Sequence, residues 1–215
     1  MVSLALAGTV LLWASLFVAT RAALPFYGPD HLMLLRFLCA SATLGVVAVT
    51  SRPRLPTVRD LPVLAASGLL GITLCNLGVT YGARTVTAGS ASMLASLGPV
   101  FSAILAVLFL HERLRLWGWA GIGVSFAGVA VIALGEGGGV RLEPGAGLLA
   151  LGALAQGISF VVQKAAFGRY GPVALISYTI WIGTLPMLLF APGLVETIAA
   201  APFHATVGVV YLGVV

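Results

Sequence analysis

Five residues stand out because their types are unusual where they occur. Trp13, Asn76, Ser92, Pro99 and Gln156 each sit inside a long apolar run. A polar side chain there cannot face hydrocarbon without cost, so Asn76 and Gln156, with Ser159 and Gln163 on the same run as Gln156, are expected to point into a protein interior. There they either bond a neighbouring helix or touch a solute. Ser92 also belongs to a row of small residues, Ala88, Ser92 and Ser96, at the spacing of one helix face, for which close helix packing is the alternative. Pro99, preceded by Gly98, removes a backbone donor and frees a carbonyl, which suits either a packing kink or the wall of a cavity. Trp13, in mid-run rather than at an interface, would supply an aromatic wall. This chemistry is that of holding a small amphipathic solute.

Catalysis has no comparable set of residues. The acidic residues Asp30, Asp60, Glu112, Glu136, Glu143 and Glu196 all lie at or beyond the ends of apolar runs. His31, His111 and His204 are likewise terminal, so Ser90 and Ser92 have no histidine at their depth. Cys39 and Cys75 sit singly in apolar surroundings and read as reduced packing residues. No catalytic residue, metal or cofactor is expected, and the chain does not read as an enzyme. Glu112, followed by Arg113 and Arg115, reads as a local ion pair or loop clamp at a helix end.

The elements that position these residues follow from composition. Of 215 residues, 60% are hydrophobic and 8% charged, with a mean hydropathy of +1.11. A soluble domain carries about 25% charged residues, so there is too little charge here to solvate a globular surface. An apolar stretch of about 20 residues spans a bilayer as a helix. Such stretches run over about 4–20, 32–49, 61–83, 86–110, 117–134, 145–167 and 172–191. An eighth begins near His204 and reaches Val215 roughly half a span short, so the chain reads as a fragment. The fold class expected is an all-α polytopic membrane protein in the cell membrane. The net charge of +5 is scattered rather than clustered, which argues against nucleic acid and for a report of orientation. With the N-terminus in the cytoplasm, Arg52, Arg54, Arg59, Arg113, Arg115, Lys164 and Arg169 fall inside, against Arg21, Arg36, Arg84 and Arg141 outside. The excess favours a cytoplasmic N-terminus.

A repeat organises the spans. Shifting the chain by 143 positions superposes Phe17-Val18 on Phe160-Val161, Ala22-Ala23 on Ala165-Ala166 and Tyr27-Gly28-Pro29 on Tyr170-Gly171-Pro172, seven identities in thirteen positions. Chance would give on the order of one or two. Trp13 falls on Gln156 under the same shift. The shift carries span one onto span six, so each repeat holds five spans. An odd number inverts the second copy, the arrangement of secondary transporters that bind near the midplane. The expected domains are residues 1–135 and an incomplete 144–215, from ten spans when complete. A secondary transporter working by alternating access is the reading this favours. The alternatives are a non-transporting membrane assembly subunit and an inactive fragment.

The residues also resemble a known family. LLWASLFVATRAAL at 11–24, the LRF of Leu35–Phe37 and ASLGPVFSAILAVLFLHERL at Ala95–Leu114 are similar to the EamA domain of the drug/metabolite transporter superfamily. The resemblance implies ten helices with both termini inside, a cavity-wall role for Pro99, and export of amino acids or other small metabolites. The partners expected are a small-molecule substrate and the lipid bilayer, with a second copy of the chain as the candidate protein partner. Cysteines placed singly at 52–59 should react with membrane-impermeant thiol reagents only from the cytoplasmic side. Labelling from outside would reverse the topology.

Overall fold

The computed structural model describes residues 2–51, 55–86, 88–95, 97–135, 144–164 and 166–214, with the side chains at 2–18, 21, 88–90, 92, 129 and 132–135 outside the description. Among the described residues the regular elements are helices. A helix bonds its own backbone without help from neighbours, which an apolar run in hydrocarbon requires. Val2–Ser51 is helical on both sides of Gly28, whose φ of 66° and ψ of 164° only glycine tolerates readily. It separates α1 (2–27) from α2 (29–51). Next comes α3 (Leu61–Gly82), which contains a π-helical turn at Leu69–Leu74. There follow α4 (Ala88–Ala95), α5 (Gly98–Leu110), α6 (Leu116–Gly135) and α7 (Pro144–Lys164). The chain continues through α8 (Pro172–Thr184), a 3-10 turn at Pro186–Phe190, α9 (Leu194–Ala200) and α10 (Phe203–Val214).

Among the described residues five stretches are long and apolar enough to cross a bilayer: Ala22–Ser51, Leu61–Gly82, Met93–Leu110, Pro144–Lys164 and Pro172–Phe190. The protein is an all-α polytopic membrane protein. Helices also occupy the first and fifth expected spans, where the side chains are described only in part. In the expected fourth span α4 reaches Ala95 and α5 begins at Gly98, with Ser96 outside the described residues; Pro99 has no N–H to donate back to Ala95.

The chain divides into two compact units, Met1–Arg52 with Thr184–Val215, and Pro53–Gly183. In the first, α2 packs along α10. A Cβ on Gly213 would come 2.6 Å from the carbonyl oxygen of Arg36, so the two backbones touch. Ala23, Tyr27, Leu32, Ala205 and Val209 form its core, and the Tyr27 hydroxyl bonds Thr206 Oγ1 at 2.6 Å. Ser41 Oγ and Thr184 Oγ1 are 3.2 Å apart.

In the second unit α7 is the shared partner of α3, α4 and α5. Its core cluster is Leu64, Ala166, Tyr170, Ala174, Leu175 and Tyr178. Ala166, Tyr170 and Leu175 stand 143 positions after Ala23, Tyr27 and Leu32 of the other core. Helix α3 lies on α7 through glycines. A Cβ on Gly78 would sit 2.6 Å from the Leu148 carbonyl oxygen, and one on Gly82 would sit 2.7 Å from that of Gly145. Lipid offers no hydrophobic drive between helices, so this close backbone approach carries the association.

Gly78→Ala should therefore force α3 off α7 and cost about 1–3 kcal/mol. Gly147→Ala, with nothing within 4 Å of the added methyl, should leave stability unchanged or slightly higher. Heating the detergent-purified variants and reading the monodisperse fraction by size exclusion tests the pair, and equal losses would contradict the glycine contact.

Candidate functional site

Within the second unit, polar groups gather where α3 departs from α-helical geometry. The π turn widens the helix, and the Cys75 N–H reaches back five residues to the Leu70 carbonyl. Asn76 Nδ2 donates to the Ile72 carbonyl at 2.7 Å, so this amide is held by its own helix. Cys75 Sγ donates to Gln156 Oε1 of α7 at 2.8 Å. One turn earlier, Ser67 of α3, Ser159 of α7 and Thr179 of α8 share a buried cluster, with Ser67 Oγ 3.5 Å from Ser159 Oγ and 3.3 Å from Thr179 Oγ1. Ser159 also donates to the Ser67 carbonyl at 3.0 Å, and Gln163 Nε2 donates to Ser159 Oγ at 3.2 Å. Thr73 Oγ1 donates to the Gly183 carbonyl at 2.7 Å. Among the described residues no buried side-chain polar atom lacks a partner.

The break between α4 and α5 faces the same helix α7. A Cβ on Gly98 would meet Gln156 Cγ at 3.4 Å, so the start of α5 lies directly against that glutamine. From there an open groove of about 310 Å³ runs along α5 and α7, lined by Pro99, Ser102 and Ala106 on one side and Phe160 on the other, with Glu112 and Lys164 among its lining residues.

Charge collects at one end of this unit. Helix α5 closes on His111, which takes the left-handed conformation (φ 54°). The N–H groups of His111 and Glu112 both return to the Ala106 carbonyl, a tight cap that fixes where Glu112 leaves the helix. Its carboxylate pairs with Lys164, 52 residues on, at the last turn of α7. The clamp expected at Glu112 is thus made between helices. Nearby in sequence to α3, Asp60 precedes the helix without capping it. Its carboxylate is buried and takes Tyr170 OH at 2.7 Å, Thr57 Oγ1 at 2.8 Å and the Arg169 guanidinium, while Tyr170 OH accepts the Thr57 N–H at 3.1 Å. The hydrogen bond from Tyr170, then that from Thr57, holds the Asp60 carboxyl below the ordinary carboxylate range, with Arg169 adding to the effect.

Of the five residues singled out by sequence, Gln156 lies beside Gly98, the neighbour of Pro99, and bonds Cys75, the neighbour of Asn76, while Asn76 itself bonds its own helix. The side chains of Trp13 and Ser92 lie outside the described residues. Sequence reading did not find the π turn, the Ser67–Thr179 hydroxyl pair or the Lys164 partner of Glu112. Only the last had a signal: a lysine and a glutamate at helix ends that both close on one side of the membrane.

Comparison with known proteins places these features in a wider group. Residues 1–134 match the EamA-like transporter family. The chain is 40% identical over 202 residues to the uncharacterized transporter YdfC of Bacillus subtilis (strain 168), covering 94% of this chain and 66% of that protein. It is 38% identical over 209 residues to a probable terminal-alkyne amino-acid exporter of Streptantibioticus cattleyicolor, covering 97% and 70%. The chain thus spans about two thirds of the length of these relatives. The uncharacterized inner membrane transporter YedA of Escherichia coli (strain K12) is 29% identical over 91% of this chain. A crystal structure shares the fold with a TM-score of 0.58 at 21% identity, over 97% of this chain and 75% of that one.

The Asp60 cluster has a pH signature. A carboxyl lowered in the folded state adds stability above its unfolded value near 3.9 and loses it as pH falls through the folded value. The stability gap between the parent chain and Asp60→Asn should stay constant from about pH 5 to about pH 8 and should close progressively below about pH 4. Thermal unfolding across that range checks it, and a gap that widened on acidification would refute the assignment.

Proposed function

Since the chain belongs to the EamA-like transporter family, we propose that it works as a secondary transporter exporting small amphipathic metabolites, amino acids or related solutes, by alternating access. The observation that carries this is the broken turn at Gly98-Pro99, set against Gln156 and opening on a cavity. A discontinuous helix with unsatisfied backbone near mid-membrane is how such transporters present polar groups to a solute without exposing them to lipid. The amino-acid exporter name carried by the Streptantibioticus cattleyicolor relative supports the solute class.

The two repeats, a five-helix copy at residues 1–135 and an incomplete copy at 144–215, belong to the same proposal. Support comes from the two cores, in which Ala23, Tyr27 and Leu32 match Ala166, Tyr170 and Leu175 at the offset found in the sequence. Each Tyr also bonds a residue at or near the start of the third helix of the other repeat, Thr206 for Tyr27 and Asp60 for Tyr170. A cytoplasmic N-terminus is supported by the basic residues Arg59, Arg113, Arg115, Lys164 and Arg169, which flank the helix ends joined by the Glu112 and Asp60 pairs. Trp13, Asn76, Ser92, Pro99 and Gln156 are the proposed cavity residues.

Proteoliposomes loaded with radiolabelled amino acids should show saturable efflux. Gln156→Ala should raise the half-saturation concentration about tenfold, the equivalent of one hydrogen bond of about 1.4 kcal/mol, with protein levels maintained. Flux that is linear in concentration, or saturable flux indifferent to both Gln156→Ala and Trp13→Ala, would discard respectively the transport reading and the site.

A further inference from the structure

We propose that Glu112 and Lys164, with the cavity they border, form a capture site for zwitterionic amino acids that carry an apolar side chain. This deepens the transport reading above and rests on it. The two groups are opposite in charge, come from different helices and meet in one ion pair. Both line the cavity between α5 and α7. Its remaining wall is mostly apolar, with Pro99, Ala106 and Phe160 offering carbon and Ser102 a hydroxyl. A volume of about 310 Å³ sits at the small end of ligand pockets, which suits a solute of amino-acid size.

The pairing chooses the solute class. An α-amino acid brings an ammonium for Glu112 and a carboxylate for Lys164, so it can replace the internal pair with two bonds of the same kind. A simple anion would gain Lys164 but meet Glu112 as a like charge, and a simple cation would meet Lys164. The exchange costs little, because the side chains of Lys164 and Glu112 are 51% and 45% exposed and a pair that open to solvent is weak. The backbone already holds both charges in place. The left-handed His111 cap fixes the exit of Glu112 from α5, and Lys164 ends α7, where free carbonyls favour a cation. The apolar side chain of the solute then falls toward Phe160 and Pro99, in the direction of the broken turn.

Binding of radiolabelled L-leucine to the full chain purified in detergent tests this, with L-leucinamide and N-acetyl-L-leucine as competitors that each keep one charge. Leucine should displace the label at concentrations at least about tenfold lower than either analogue. Lys164→Gln should weaken leucine and N-acetyl-leucine about tenfold and spare leucinamide, whereas Glu112→Gln should weaken leucine and leucinamide and spare N-acetyl-leucine. Lys164→Arg, which keeps the charge, should preserve the parent ranking and guards against loss of folding. No saturable leucine binding, or equal weakening of all three compounds in both neutral variants, would overturn the site. Saturable solute flux alongside either result would leave the transport reading intact. Leucine binding with the expected ranking, but no flux of any solute in proteoliposomes, would instead overturn transport and keep the site.

Discussion

A peptide group inside hydrocarbon has no water to bond, and the structure is arranged around that constraint. Continuous helix is the default because it needs no partner. Each departure from it must be covered by something else, and the departures here are few enough to follow one by one. Gly28 breaks the first long helix where the Tyr27 hydroxyl is bonded to Thr206 and the residues on either side are packed. The π turn of α3 lies against α7 and α8, and its neighbourhood is served by the Asn76 amide, the Thr73 hydroxyl and Gln156. The gap between α4 and α5 lies against Gln156. Irregular backbone therefore coincides with the polar side chains of the second unit.

Helix α7 makes this coincidence possible. Its glycines at 145, 152 and 157 let α3 and α5 approach within backbone contact, since a Cβ on Gly157 would come 2.9 Å from the Ser102 nitrogen. Close approach leaves room only for short polar side chains, and serine and threonine are what the interface holds: Ser67, Ser159 and Thr179. Hydroxyls at such contacts add modest energy, about 0.6 kcal/mol on average for side-chain bonds between helices in a membrane. Their larger effect is to set register, because a slip of one residue would break the bonds that join Ser67 to Ser159 and Thr179 in a dry interior.

The two ion pairs at the end of the second unit illustrate how burial decides what a charge does. Asp60 is buried and receives bonds from Tyr170, Thr57 and Arg169, of which Tyr170 is itself buried and has the most to lose with the carboxylate. Glu112 and Lys164 are about half exposed and have a cavity beside them. The first arrangement ties the approach to α3 to the start of α8 and has no reason to open. The second can exchange its partners for those of a solute, at an energy water has already reduced.

Composition and span length by themselves determined the class: with 8% charged residues, no other arrangement than packed membrane helices satisfies this chain. Pro99 announced the broken fourth span through a missing N–H, and Asn76 and Gln156 announced an interior face through the cost of an amide in lipid. These are local properties of the chain, and local properties can be read from residues in order. The partner of Glu112 was a different matter, because Arg113 and Arg115 next to it offered the same charge as Lys164, and only the left-handed turn at His111 selects between them. The π turn had no marker in LLGITL, since a widened turn is stabilised by what α7 and α8 present to it rather than by its own side chains. Whether Asn76 bonds across helices or within its own was likewise settled by three-dimensional distance: the Ile72 carbonyl is one turn away and takes the Asn76 amide beside the Cys75 N–H. Tertiary structure decided those points because each depends on which of several equivalent donors reaches an acceptor first.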